Sequence, residues 1–227
     1  MEAVILAAGK GTRLRPHTNT TPKPLLLVQS RPILDWILAA LPPDVSRLVV
    51  VVNYLAEQIE SYLGQQQHFK NWTTVLQAKP RGTGDAFRSC KTALQSDRYL
   101  VLNGDDLYSI SDLAELSRHE AGVMVRPVQD PEKWGIAFQK LDGTLEKLVE
   151  KPTGLTPPQL GNIGAYVFPK AVFNIDLKLS PRGEYEITDY VSELAAHGRV
   201  QVVTAQHWFP IGDIAALETA QHLSLPL

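Results

Sequence analysis

Short apolar runs alternate with stretches of helical period along most of this chain. AVILAA (3–8) is apolar at every position, the pattern of a strand covered on both faces. In PILDWILAAL (32–41), Ile33, Leu34, Ile37, Leu38 and Leu41 share one helical face, and Pro42-Pro43 stops the helix. RLVVVV (47–52) is β-branched and predicts a buried strand; LAEQIESYL (55–63) predicts a helix closed by Gly64. TTVLQA (73–78), the helical GDAFRSCKTAL (84–94) and YLVLNG (99–104) continue the alternation. Further on, GVMVRPV (122–128), GIAFQKL (135–141), TLEKLVEK (144–151) and GAYVFP (164–169) predict strands, with Asp142-Gly143 as a hairpin turn. EITDYVSELAAH (186–197) predicts a helix stopped by Gly198; VQVVTA (200–205) and a helix near 214–223 follow. Strand and helix in alternation predict an α/β fold, a mostly parallel mixed sheet with helices on both faces.

Composition narrows this picture without redirecting it. The 227 residues suffice for one substantial core, and with no repeat or Gly/Ser linker we expect residues 1–227 to form one domain. A net charge of −2 with no long run of either sign does not point to nucleic acid or a membrane surface as a partner. Residues 3–8 give way to glycine and lysine too soon for a secretory leader, and no later run approaches the length of a membrane span. Cys90 is the sole cysteine, so no intrachain disulfide can form and a cytoplasmic location is expected. Composition leaves the oligomeric state open.

The densest chemistry lies at residues 6–26, LAAGKGTRLRPHTNTTPKPLL. Gly9 and Gly11 fall just past the first strand, at the sheet edge where open α/β folds bind ligands. Glycines there let backbone N–H groups approach a phosphate, although a lone G-x-G after a strand is more often just a turn. The stretch lacks the GxxxxGK[ST] of a Walker loop, and Leu14 stands where a dinucleotide fingerprint needs its third glycine. What remains is a glycine loop with Arg13 and with Lys23 stiffened by Pro22 and Pro24, cations suited to a polyphosphate.

This stretch resembles the signature of the sugar-1-phosphate nucleotidyltransferases, the NDP-sugar pyrophosphorylases. The rest of the chain carries the resemblance in order: NYLAEQIESYLG, LQAKPRGTGDAF, VLNGDD, VEKP, GNIGAYVF, SPRGEYEITDYVSELAAHG and WFPIGDIAALETA. It covers nearly all 227 residues and implies a Rossmann-like domain of the nucleotide-diphospho-sugar transferase type. This sequence carries no hexapeptide repeats, so no acetyltransferase activity is expected. The implied reaction is attack by a sugar-1-phosphate on the α-phosphorus of an NTP, releasing pyrophosphate. The nucleophile arrives already ionised, since a phosphate monoester has a second pKa of about 6. Accordingly, the sequence shows no nucleophile elbow and no Ser/His/Asp or Cys/His arrangement.

Carried over residue by residue, the resemblance makes Arg13 and Lys23 the phosphate-binding cations and Asp105 the ligand of Mg²⁺. Leu6, Ala8, Gly9, Gly11 and Thr12 form the nucleotide loop, and Gln77, Gly82 and Thr83 read the base. Gly135, Glu150, Lys151, Asn162 and Glu186 contact the sugar phosphate, with Glu184 near the same pocket. Many members place a second metal carboxylate two residues after the tryptophan, where this chain has Pro210; Asp213 is the substitute candidate, and Asp105 acting alone is preferred. Asp106, adjacent to Asp105, reads either as a support for the metal ligand or as a turn residue, the turn being preferred, and Trp208 reads as packing. The wording LQAKPRGTGDAF favours UTP, with dTTP second, and glucose-1-phosphate or N-acetylglucosamine-1-phosphate as acceptor. Two other readings compete: a cytidylyltransferase for phosphocholine, with Trp134 and Tyr166 as an aromatic box, and a non-catalytic binder of nucleotide or sugar phosphate.

Overall fold

A computed structural model describes residues 1–224. In chain order the elements are β1 (Glu2–Leu6), β2 (Leu27–Val28), β3 (Arg31–Pro32), α1 (Ile33–Ala40), β4 (Arg47–Val52), α2 (Ala56–Gln65) and β5 (Trp72–Leu76). Then come α3 (Thr83–Ser89), β6 (Arg98–Asn103), β7 (Asp106–Tyr108), α4 (Ile110–Ser117), β8 (Gly122–Val128), β9 (Gly135–Gln139) and β10 (Leu145–Glu150). The chain continues through β11 (Gln159–Pro169), α5 (Ile187–His197), β12 (Gln201–Thr204), β13 (Trp208–Pro210) and α6 (Ile214–Ala220). The expected α/β architecture with a mixed sheet is present. Among the described residues the main sheet has nine strands in the order β10-β9-β11-β6-β1-β4-β5, with β8 on β11 and β12 on β8. β6, β1, β4 and β5 run parallel, as does β12 with β8, whereas β11 is antiparallel to both β6 and β8.

The alternation along each strand explains the two layers of helices. Ala3 and Ile5 of β1 with Leu48, Val50 and Val52 of β4 face α1, α2, α4 and α6; Val4, Val49 and Val51 face α3 and α5. With both faces buried, a strand in the middle of this sheet must be apolar throughout, which is why the central strands read as uninterrupted runs.

Several boundaries differ from the sequence reading for identifiable reasons. α2 runs through Gly64 to Gln65, because a side chain at that exposed position would meet no other atom and nothing forces a stop. α3 ends at Ser89, and Cys90–Leu94 tightens into turns held by Cys90 N–H to Phe87 O and Ala93 N–H to Cys90 O. Gly198 ends α5 in an extended conformation, so it acts without the left-handed geometry that favours glycine. β11 begins five residues before the expected GAYVFP strand and bends between Asn162 and Tyr166, where Gly164 adopts φ +74°. α4, β7 and β13 are additional; α4 starts where Ser109 Oγ accepts from Asp112 N–H, a capping signal present in SISDLAEL.

One buried carboxylate fastens the turn after α3 to the sheet. Glu2, 2% exposed, accepts N–H bonds from Gln95 and Ser96 at 2.7 Å each and pairs with Arg47 at 3.0 Å. Burial alone would raise its pKa, but those two N–H groups and Arg47 outweigh it and hold the carboxyl below the ordinary glutamate range. Such a group stabilises the fold above its unfolded pKa and loses that contribution as pH falls through its folded one. Glu2→Gln is therefore expected to cost about 1–3 kcal/mol in urea unfolding at neutral pH, with the gap to wild type closing under acid conditions.

No helix among the described residues is long and apolar enough to cross a membrane. Cys90 is fully buried on the α3 side of the sheet, and burial pushes its thiol up to about 12, which makes it inert near neutral pH.

Candidate active site

A cleft of about 420 Å³ opens at the carboxyl ends of β1 and β6, against the start of α3. Its floor is Leu6, Ala8, Gly9, Gly11 and Thr12; Gln77, Gly82 and Thr83 form one wall. Arg13, Lys23 and Asp105 line it as well, so the eleven side chains and backbone positions expected to handle the nucleotide share one space.

The glycine loop has a local reason for its form. Gly11 sits at φ +60°, and a Cβ there would stand 2.9 Å from Thr18 Cγ2 and 3.1 Å from Lys23 Cβ. Thr18 Oγ1 donates to Gly11 O at 2.8 Å, pinning the loop onto the Pro22-Lys23-Pro24 turn. Only glycine lets that turn approach closely enough to bring Lys23 into the cleft. Lys23 is 7% exposed, and its Nζ donates to Asp105 Oδ2 at 2.5 Å. Arg13 is exposed and has no ion-pair partner among the described residues, which leaves its guanidinium free for an anion. Lys10, Arg15 and His17 are exposed, as solvated side chains are.

Asp106 corrects the sequence reading. Instead of occupying a turn it lies in β7, 7% exposed, paired across to Pro210 of β13. Burial first, then the adjacent Asp105 carboxylate, push the Asp106 carboxyl well above its ordinary range. Ile211 N–H donates to Asp105 O at 3.3 Å, and Pro210 pairs with Asp106, so the β13 strand abuts this acid pair. Asp213 does other work: its Oδ1 accepts Ala216 N–H at 2.9 Å as the N-cap of α6. Among the described residues no three metal-ligating side chains converge. The donor set still fits a hard divalent ion, since one accessible carboxylate at a phosphate-sized cleft is what Mg²⁺ uses alongside substrate oxygens. Trp208 stands edge-on to Trp134, with ring centroids 5.4 Å apart.

The residues expected to face the sugar phosphate cluster beside the cleft. A Cβ on Gly135 would stand 3.0 Å from Glu150 Oε2 and 3.7 Å from Asn162 Cβ, so β9, β10 and β11 bring the three together. Asn162 Nδ2 donates to Tyr166 Oη at 2.7 Å, and its Oδ1 accepts Gly164 N–H at 3.1 Å. With its hydroxyl tied to Asn162 and its ring stacked on Phe168, Tyr166 is a buried packing residue and forms no box with Trp134. Lys151 leaves the end of β10 at φ +47°, its N–H bonded to Trp134 O at 2.9 Å and its Nζ 3.9 Å from Glu150 Oε1.

Arg182 is the residue that sequence reasoning missed. Its guanidinium reaches Glu186 at 2.8 Å, Glu184 at 3.2 Å and Glu150 at 3.6 Å, a single cation shared by three acids. Burial raises the pKa of Glu150, opposed by Arg182. The segment carrying Arg182 also joins this cluster to the cleft: Tyr185 O accepts Gly84 N–H at 2.8 Å, Thr83 Oγ1 accepts Ile187 N–H at 3.2 Å, and Glu184 lines the cleft. A Cβ on Gly82, at φ +102°, would collide with Tyr185 O at 2.4 Å, so that junction requires glycine.

Comparison with known proteins places this geometry in context. A family model described as nucleotidyl transferase matches residues 2–225. The bifunctional protein GlmU of Methanococcus maripaludis is 34% identical over 216 residues, covering 93% of this chain and 51% of that protein. The low-salt glycan biosynthesis nucleotidyltransferase Agl11 of Haloferax volcanii is 33% identical over 208 residues, covering 87% of this chain and 58% of that one. The chain thus spans about half the length of the curated relatives it matches. Among solved structures, a Bacillus anthracis chain assigned as a glucose-1-phosphate thymidylyltransferase superposes with a TM-score of 0.85 at 27% identity, covering 100% of this chain and 96% of that one. The chain belongs to the sugar-1-phosphate nucleotidyltransferase family.

Proposed function

We propose that residues 1–227 act as one nucleotidyltransferase domain that joins an NTP to a sugar-1-phosphate, giving an NDP-sugar and pyrophosphate. UTP is the first-choice nucleotide and dTTP the second, with glucose-1-phosphate or N-acetylglucosamine-1-phosphate as acceptor, in the cytoplasm and with Mg²⁺ as the metal. The observation that carries this reading is the 2.5 Å contact between Lys23 and Asp105 in a cleft floored by the glycine loop. It joins a phosphate-binding cation and a metal-binding carboxylate at one sheet edge, with a second charged cluster alongside.

In this reading the glycine-loop backbone and Arg13 hold the triphosphate, and Lys23 stabilises charge on the transferring phosphoryl group. Asp105 would hold Mg²⁺, which neutralises phosphate charge when bound. Lys151 attracts the sugar phosphate, Arg182 holds Glu150, Glu184 and Glu186 in place, and Glu150 and Asn162 can hydrogen-bond the sugar hydroxyls. No side chain need act as nucleophile, because the attacking phosphate oxygen is already ionised and positioning supplies the rate.

A matrix of NTPs against sugar-1-phosphates, with pyrophosphate release as readout, tests the proposal. Turnover highest with UTP or dTTP and a hexose-1-phosphate is expected. Faster turnover with CTP and phosphocholine would overturn the sugar reading, and no release with any pair would leave the binding-only alternative.

A further inference from the structure

Gln77 Nε2 donates to two acceptors at once, Gly82 O at 3.1 Å and Asp85 Oδ2 at 3.2 Å. A primary amide nitrogen carries two hydrogens, so both are committed. The partner cannot reverse its polarity. Burial alone would raise the Asp85 pKa, but Gln77, Arg88 and Arg81 outweigh burial and keep the carboxyl below its ordinary range. Its other oxygen, Oδ1, accepts from Arg88 at 2.7 Å and Arg81 at 3.2 Å, and the Arg88 guanidinium lies 4.5 Å from the centroid of the Tyr185 ring. An ionised carboxylate only accepts hydrogen bonds, so Gln77 must turn its NH₂ toward Asp85. The amide oxygen, an acceptor, takes no hydrogen bond among the described residues and is left for a ligand of the cleft that Gln77 lines.

We propose that Asp85 is a positioning residue for nucleobase selection, fixing the Gln77 amide so that the cleft presents an acceptor to the base and selects uracil or thymine over cytosine. The inference rests on the reading of Gln77 as the base-contacting residue. Uracil and thymine carry a hydrogen on ring N3, which satisfies that acceptor; cytosine has a lone pair at N3, which meets it lone pair to lone pair. A polar site left unpaired in this way discriminates strongly. Asp85 does not line the cleft; it shares a separate depression with Gln77, Lys79, Arg81 and Arg88, and so acts through Gln77.

Asp85→Asn tests this with little change in shape. The two arginines retain the amide oxygen, so the new nitrogen faces Gln77. Gln77 is then caught between a group that needs an acceptor and the Gly82 carbonyl, which needs a donor. The flipped fraction offers N–H to the cleft and suits cytosine. The ratio of kcat/KM for UTP over CTP, at one sugar-1-phosphate, is expected to fall at least about tenfold, and Asp85→Glu, still an acceptor only, to retain most of it. Gln77→Leu, scored alongside, should lose the ratio whatever occupies position 85. A ratio unchanged in Asp85→Asn but lost in Gln77→Leu overturns the role of Asp85 alone. A ratio unchanged in Gln77→Leu, or absent in wild type, overturns the reading of Gln77, and no turnover with any substrate pair overturns the proposed activity and this inference with it. Should Asp85→Asn not fold, Asp85→Ala leaves the amide with the Gly82 bond only; an undiminished ratio there also overturns the proposal.

Discussion

Asp105→Asn should lower turnover by about 1000-fold or more while leaving the fold intact. The substitution keeps the size and hydrogen-bonding geometry of the side chain, and its amide oxygen can still accept from Lys23 Nζ, now 2.5 Å from Oδ2. What it removes is the negative charge. A neutral amide is a poor ligand for a hard divalent ion, and a metal that stabilises transferring phosphoryl charge supplies several kcal/mol, where about 4 kcal/mol corresponds to about 1000-fold in rate. Asp106 cannot take over. Its side chain is buried in β7 and does not line the cleft, whereas that of Asp105 is open to it. The measurement is kcat for pyrophosphate release at saturating Mg²⁺, accompanied by thermal unfolding and calorimetric Mg²⁺ titration. Activity within tenfold of wild type in a folded variant would remove Asp105 as the metal ligand.

How much of this was legible in the sequence depended on whether the cause was local. RLVVVV announced itself as a central strand because both its faces are buried and every position must be apolar. The glycine loop was legible because Gly11, Thr18 and Lys23 lie within thirteen residues and interact within that span. Asp106 was not, since its burial comes from β7 pairing with β13, about a hundred residues away, and nothing adjacent to Asp105-Asp106 records that partner. Arg182 failed for a similar reason. An exposed-loop arginine between proline and glycine reads as solvated charge, and only folding brings Glu150 from β10 against it to join Glu184 and Glu186. Asp213 shows the converse: a candidate ligand by sequence position, it is claimed by the more local demand of capping α6. α4 was readable in principle, but its cap follows β7 with no intervening loop, and no Gly or Pro marks the break.

Lys23→Met should lower kcat about 100- to 1000-fold, the usual cost of removing one donor aimed at developing charge. The thioether fills nearly the same volume in a site only 7% exposed, so the loss reports charge rather than packing. Because Lys23 serves the nucleotide phosphates in the proposed reaction, KM for the sugar-1-phosphate should change little, which separates it from a Lys151 or Arg182 defect. Lys23→Arg should not restore activity: Lys23 Cβ lies 3.1 Å from where a Gly11 Cβ would stand, and the tight Pro-Lys-Pro turn has no room to retract for a broader planar head group. The same variant has a second signature. In the wild type the ammonium group occupies Asp105 Oδ2, so a divalent ion arriving without nucleotide competes with it. With methionine in place that competition ends, and Mg²⁺ measured calorimetrically in the absence of nucleotide should bind more tightly even as turnover collapses. Near-normal kcat in Lys23→Met would show that the cation serves Asp105 only and leaves the phosphates to Arg13 and the glycine loop.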